Sequence, residues 1–303
     1  MAARATRSAS RNARLTEAVA TGPLGALSHD ELGVIFDGLA DPLEPVVAVA
    51  LSSTCLGLRT PLQAALEVLK ERNARAAALS RKMKTSCALL RDAEELDWYG
   101  KSLAADDMAT LAMILSTNGL LRLQAVHLPF SRFGDAGVQA LCEGLGCGAA
   151  PSLRSLGLIN NQFGPAGAEA LAAALHRGAM PNLMVLGLFG NPIGNQGVAA
   201  LAAPLRKMPA LEELILIDCK IGDEGVASLV ANLGKDDFKK LEDLDLGQNQ
   251  ITDAGVAKLV AALDAGGLPK LVTNCTLSMS LSNNPASARA VQAVKDALAK
   301  RSQ

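Results

Sequence analysis

The chain has 303 residues, half of them hydrophobic, yet aromatics make up only 3% and the formal net charge is -1. Such a chain buries about three quarters of the surface it exposes when unfolded, and its aliphatic content and small net charge exclude extended disorder and a dedicated nucleic-acid binder. Six cysteines (Cys55, Cys87, Cys142, Cys147, Cys219, Cys275) show no C-x-x-C spacing, and the longest apolar run, Val46 to Leu51, is six residues; no zinc site, disulfide framework or membrane span of ~18 residues is encoded.

Residues 1–26 carry Arg4, Arg7, Arg11 and Arg14 among Ala and Ser, with no acid before Glu17. This is the composition of a disordered basic arm or a targeting peptide. The expected location is cytoplasmic, with nuclear or organellar import compatible with the arm. Helical signals begin at Ser28-His29-Asp30-Glu31, a start like a capping box, and Leu32, Ile35, Phe36 and Leu39 follow on one face. Asp41-Pro42 breaks that helix, Leu43 to Ser52 makes a second, and Thr60-Pro61 opens a third running to about Lys84. The third is basic, through Lys70, Arg72, Arg75, Arg81, Lys82 and Lys84, with Arg91 beyond it. No aromatic side chains interleave to stack bases, so a solvated face is expected. Residues 27–90 are thus a small α-helical module.

Leu27-Ser-His-Asp30-Glu-Leu32-Gly-Val-Ile35-Phe36-Asp-Gly-Leu39, then Asp41-Pro-Leu43 and Ala50-Leu51-Ser-Ser-Thr-Cys55-Leu-Gly-Leu58-Arg59, resembles an F-box. Ser28 stands where Pro is usual in that family, and Leu58 about where Trp is usual. The resemblance implies a Skp1-like adaptor of a cullin ubiquitin ligase, held by Leu32, Ile35, Phe36 and Leu43, with Leu32, Ile35 and Leu43 in an exposed apolar patch. A helical cap for the segment that follows would instead keep these side chains packed.

From residue 91 to 303 the chain aligns on itself. One unit reads Leu153, Leu156, Leu158, Asn161, Phe163, Gly164, Gly167, Leu171, Leu175; the next has Leu183, Leu186, Leu188, Asn191, Ile193, Gly194, Gly197, Leu201, Leu205. Units starting at Leu123, Leu153, Leu183, Leu211 and Leu241 are spaced by 30, 30, 28 and 30 residues. Leu156 and Leu158 alternate with Gly157 at the period of a strand with one face inward. Asn161 ends that strand, where its amide can satisfy backbone groups in the turn. Cys219 and Ser131 occupy the Asn slot with smaller polar atoms. The paired glycines allow a tight turn and a close neighbouring coil. Asp135, Asn195, Asp223 and Asp253 fall where helix N-caps are expected, and Pro165 suits a first helical turn. Strand, Asn turn and helix, repeated, predict a parallel sheet inside and a row of helices outside.

The pattern resembles the leucine-rich repeats of the ribonuclease-inhibitor type, L-x-x-L-x-L-x-x-N-x-I-G-x-x-G. That resemblance implies an α/β fold, a right-handed horseshoe of about seven units following the helical module. The leading unit departs from it, with Lys101 at the Asn slot and Asp107 at the Gly slot. The trailing unit keeps Met279, Leu281 and Asn284 but is stretched, and its register between Leu268 and Leu281 is open.

No P-loop, H-E-x-x-H or G-x-S-x-G is present. His29, His127 and His176 fall in different units and form no local metal pair. Ran-GTPase-activating proteins share the repeat type and present a functional Arg from an early turn; Arg132 is the one basic residue in a comparable position. The expectation is therefore a monomeric, non-enzymatic scaffold without cofactor, metal, nucleic acid or membrane. Its protein partner is expected on the concave face, lined by residues flanking the buried strand pair. These include Tyr99, His127, Ile159, Val185, Phe189, Glu213, Ile215, Ile217, Asp243 and Asp245. The five apolar members are expected to form one contiguous exposed patch, anchored by Phe189 and rimmed by acids that favour a basic partner.

Overall fold

A computed structural model describes residues 29–53, 62–117, 120–146, 148–234, 236–271 and 279–301. The chain divides into two compact units, residues 1–91 with 117–119, and residues 92–116 with 120–303.

The described part of the first unit is helical: α1 (His29–Leu39), α2 (Val46–Ser53), α3 (Gln63–Lys82) and α4 (Cys87–Arg91). Leu32, Phe36, Ala40, Ala48, Leu62 and Leu69 form its core. The second helix starts at Val46, three residues later than the hydrophobic run implies. Asp41 accepts the amide of Leu43 at 2.7 Å, holding residues 41–45 as a turn, and Pro45 supplies the first helical carbonyl, to Val49. Asn73 reaches back from α3 to the carbonyl of Pro42 at 2.7 Å. The Thr60-Pro61 opening lies outside the described residues.

The second unit alternates strand and helix: β1 (Glu95–Asp97), α5 (Ala105–Ser116), β2 (Ala125–His127), α6 (Gly134–Gly144), β3 (Ser155–Gly157), α7 (Pro165–His176), β4 (Val185–Gly187), α8 (Gly194–Arg206), β5 (Glu213–Ile215), α9 (Asp223–Val230), β6 (Asp243–Asp245), α10 (Asp253–Asp264), β7 (Met279–Ser280) and α11 (Ala288–Ala299). The seven strands pair in sequence order, every neighbour parallel. Leu96, Val126, Leu156, Leu186, Leu214, Leu244 and Met279 lie opposite one another across the sheet. This is the α/β leucine-rich-repeat architecture, the sheet backed by helices. Each strand is only three residues or fewer, because the chain must turn at both ends to keep a 28- to 30-residue period.

Leu156, Leu158, Leu186, Leu188, Leu214, Leu216, Leu244 and Leu246 are buried in one ladder between sheet and helices. The Asn slot sits at its edge. Asn191 donates to the carbonyls of Leu158 and Leu188, each at 2.8 Å, and accepts the amide of Asn161, also at 2.8 Å. Asn161 and Asn249 bond the coil before them in the same way, and Asn284 does so for the trailing unit. Cys219 puts a thiol against the Leu188 and Ile217 carbonyls, whereas the Ser131 hydroxyl is buried without a partner. The helices pack as closely: a Cβ added to Gly144 would lie 2.3 Å from the Ala112 Cα.

One expectation is corrected. Asp135, Asn195, Asp223 and Asp253 lie inside the first turns of α6, α8, α9 and α10, and none caps its own helix. Each instead accepts amides from the repeat that follows: Gly164 and Gly167 to Asp135, Gly222 and Gly225 to Asn195, Thr252 to Asp223, Ser287 to Asp253. The helix starts of adjacent repeats lie close enough that a short polar side chain reaches its neighbour's free amides. Residues 272–278, where the register is open, lie outside the described residues. No helix among the described residues is long and apolar enough to cross a membrane.

Candidate binding face

The sheet face turned away from the helices carries side chains that flank the buried leucines. Strand alternation sends Glu95 and Asp97, Ala125 and His127, Ser155 and Gly157, Val185 and Gly187, Glu213 and Ile215, and Asp243 and Asp245 to this face. Backbone groups between strands are spent on the parallel ladder, and the turns continue it, as when Phe130 donates to Ile159 and Asn160 to Phe189. What a partner meets here is side chains.

Ile159, Val185, Phe189, Ile215 and Ile217 are half-buried, not freely exposed as expected. They partly cover one another around a glycine floor. A Cβ on Gly187 would lie 4.0 Å from both Ile159 Cγ1 and Ile215 Cδ1, so the two isoleucines converge over it. Gly157 lies beneath His127, whose Cδ2 would meet a Cβ there at 3.0 Å.

His127 bridges three strands. Its Nδ1 is 3.4 Å from Glu95 Oε1 and its Nε2 is 2.9 Å from Ser155 Oγ. Acid, imidazole and hydroxyl stand in the order of an acyl-transfer relay. The Ser155 amide, however, is spent on the Gln124 carbonyl and is not free to stabilise an oxyanion. The trio is a polar clamp across β1, β2 and β3. Separations of 32 and 28 residues hid it; the signal was that all three occupy face positions of consecutive repeats.

Beside it, Tyr99 and Phe130 meet at 5.3 Å between ring centroids, tilted by 54°, and are 66% and 46% exposed. Phe130, not singled out in the sequence, has φ +58° in a slot held elsewhere by Gly100, Asn160, Gly190, Asp218 and Gln248, all left-handed. A bulky side chain is uncommon in that conformation.

At the far end stand Glu213, Asp243 and Asp245. Burial, then Glu213 and Asp245, pushes the Asp243 carboxyl up from 3.8 to about 6. Its Oδ1 is buried without a hydrogen-bond partner, while Asp245 Oδ1 accepts the Gly247 amide at 2.9 Å. The described face positions of β1 to β6 hold five carboxylates and no Lys or Arg.

Other candidates fall elsewhere. Leu32, Phe36 and Leu43 are buried, and only Ile35 of the adaptor-binding set reaches water, at 37% exposure. Leu32 and Phe36 are spent on the unit's own core, so of these four side chains Ile35 alone is displayed. Arg132 lies on an exposed turn, its amide bonded to Asn161. Burial pushes the Cys142 and Cys219 thiols up to about 12, so neither is a ready nucleophile. Among the described residues no group of side chains is arranged to hold a metal.

Four segments, residues 149–172, 179–202, 207–230 and 239–260, match the leucine-rich-repeat family. They cover β3 to β6 and all or most of each helix that follows, and with the parallel sheet they fit a leucine-rich-repeat protein. No curated protein matches the chain.

Proposed function

We propose that this leucine-rich-repeat protein is a non-enzymatic scaffold that holds a protein partner on the concave face of ribonuclease-inhibitor-type repeats. The observation that carries this reading is a single continuous face. On it, five carboxylates and a half-buried aliphatic centre stand over a backbone whose hydrogen bonds are already made. An apolar centre inside a charged rim is the usual anatomy of a protein interface. Leu32, Phe36 and Leu43 offer no comparable display, so the reading rests on the repeats alone.

The test is affinity recovery from the native source with the full-length chain, its Phe189→Ala variant and its Asp243→Lys/Asp245→Lys variant, each with its melting temperature. Recovered partners lost at unchanged melting temperature support the face. The same partners recovered by all three proteins contradict it.

A further inference from the structure

The face is polarised along the sheet. One end holds Glu95 and Asp97 on β1, with the exposed rings of Tyr99 and Phe130 beside them. The other holds Glu213, Asp243 and Asp245 on β5 and β6. Between them lie the glycine floor of Gly157 and Gly187 and its half-buried aliphatic walls. Four to five strand steps separate the ends, about 19–24 Å at ~4.8 Å per step.

We infer that the partner contributes one polypeptide segment with cationic residues at both ends and aliphatic residues between, laid across the strands from β1 to β6. This rests on the concave-face reading and adds the chemistry of the partner. Each feature selects for one part of that segment. The described face positions of β1 to β6 hold no Lys or Arg, and the one imidazole, His127, stands 3.4 Å from Glu95, so the potential attracts Lys or Arg, most at Glu213, Asp243 and Asp245. The Tyr99–Phe130 pair offers ring faces next to Glu95 and Asp97, which favours arginine at that end through cation–π contact as well as charge. The centre carries no carboxylate, Lys or Arg, and Ile159 and Ile215 converge there over Gly187 as an apolar surface. Phosphate-bearing ligands and anionic membranes are repelled by the same carboxylates.

Length follows from the span. An extended segment covers the gap with about six or seven residues, a helical one with about thirteen to sixteen. An amphipathic helix would present its apolar stripe to the glycine floor; an extended segment would alternate. Both carry the same order of charge and apolarity, which is the inferred property.

Three synthetic peptides of about sixteen residues test it with the full-length protein by fluorescence anisotropy. The first has paired Arg and Lys at each end and leucines between; the second replaces the cations with Glu; the third replaces the leucines with Ser. The first should bind, and its affinity should fall at least about tenfold from about 50 to about 300 mM salt. The second should not bind, and the third should bind about tenfold more weakly. Glu95→Gln/Asp97→Asn and Asp243→Asn/Asp245→Asn should each weaken the first peptide about tenfold with the fold intact by circular dichroism. Absence of binding by all three peptides, equal binding of the first two, or indifference to both neutralising pairs overturns the inference. The outcomes also separate the two claims. If the acidic peptide binds and Phe189→Ala weakens it, the face stands and the cationic segment falls. If the cationic peptide binds with no effect of Phe189→Ala or either neutralising pair, the concave-face reading falls with it.

Discussion

Asp135 accepts the amides of Gly164 and Gly167 at 2.7 and 2.8 Å, so a carboxylate in one repeat caps the helix of the next. The relation recurs wherever the preceding repeat supplies Asp or Asn as acceptor, and it accompanies an extended backbone at the N-cap. Gly164, Gly222, Thr252 and Ser287, which receive such a cap, have extended N-cap conformations. Ala105 and Pro165 hold the acceptor slot before α6 and α8, and neither side chain can accept. There the helix opens with a left-handed glycine, Gly134 or Gly194, whose amide goes forward to the carbonyl of Asn161 or Cys219. The second glycine of the pair leaves space for the incoming acceptor: a Cβ on Gly167 would lie 2.8 Å from Asp135 Oδ1.

Asp135→Ala should therefore destabilise the repeat unit by about 1–2 kcal/mol, the usual cost of losing a cap, and Asp135→Asn by less. Thermal unfolding of the two variants checks this. Equal melting temperatures for wild type and Asp135→Ala would show that the inter-repeat cap contributes nothing.

The two kinds of helix start predict a contrast between glycines in the same slot. Gly194 sits at φ +66° with open space around it, so Gly194→Ala should cost about 1–2 kcal/mol in backbone strain alone. Gly164 is extended, at φ -111°, and a Cβ there meets only the Pro192 carbonyl at 3.5 Å, so Gly164→Ala should change stability by less than about 0.5 kcal/mol. Urea denaturation midpoints of the pair are the measurement.

The leucine ladder and its asparagines were legible because each slot has a stereochemical demand of its own and the demand recurs every 28 to 30 residues. The inter-repeat caps were not. An Asp at a helix start satisfies the same propensity whether it serves its own amides or those of a neighbour, and only the packing of adjacent helices decides. Leu32 and Phe36 show a similar degeneracy: apolar residues on one face of a helix read alike whether displayed or buried, and here they are buried. The face positions followed from strand alternation. Their half-buried state did not, because it depends on side chains from adjacent strands converging over Gly187.

Within the Asn slot, Asn191 and Ser131 should respond oppositely. Asn191→Ala strands the Leu158 carbonyl and the Asn161 amide and leaves the Leu188 carbonyl only the Cys219 thiol, and should cost about 2–3 kcal/mol. Ser131→Ala removes a hydroxyl that already lacks a partner, and should be neutral or slightly stabilising. A destabilised Ser131→Ala would show that this hydroxyl makes a bond.

Asp243 makes stability pH-dependent with a definite sign. Its folded value, about 6, lies above the ordinary 3.8, so the native state holds this proton more tightly than the unfolded chain. The advantage is fully present below about pH 4 and is lost as pH rises through about 6. Asp243→Asn should remove that slope and raise stability near pH 7.5, by less than about 2 kcal/mol because water still reaches part of the carboxylate. Denaturation of both proteins at pH 4, 5, 6 and 7.5 checks it; parallel curves would contradict the assignment.

The central claim is that a protein partner sits on the sheet face and not on the helices. Photo-crosslinking tests it most directly, with a photoreactive amino acid placed singly at Phe189 or Ile217 on the face and at exposed Glu169 on α7, each in the full-length chain incubated with extract from the native source. The account predicts a discrete protein adduct from Phe189 and Ile217, removed by Asp243→Lys/Asp245→Lys, and none from Glu169. An adduct from Glu169 with none from either face position would contradict it.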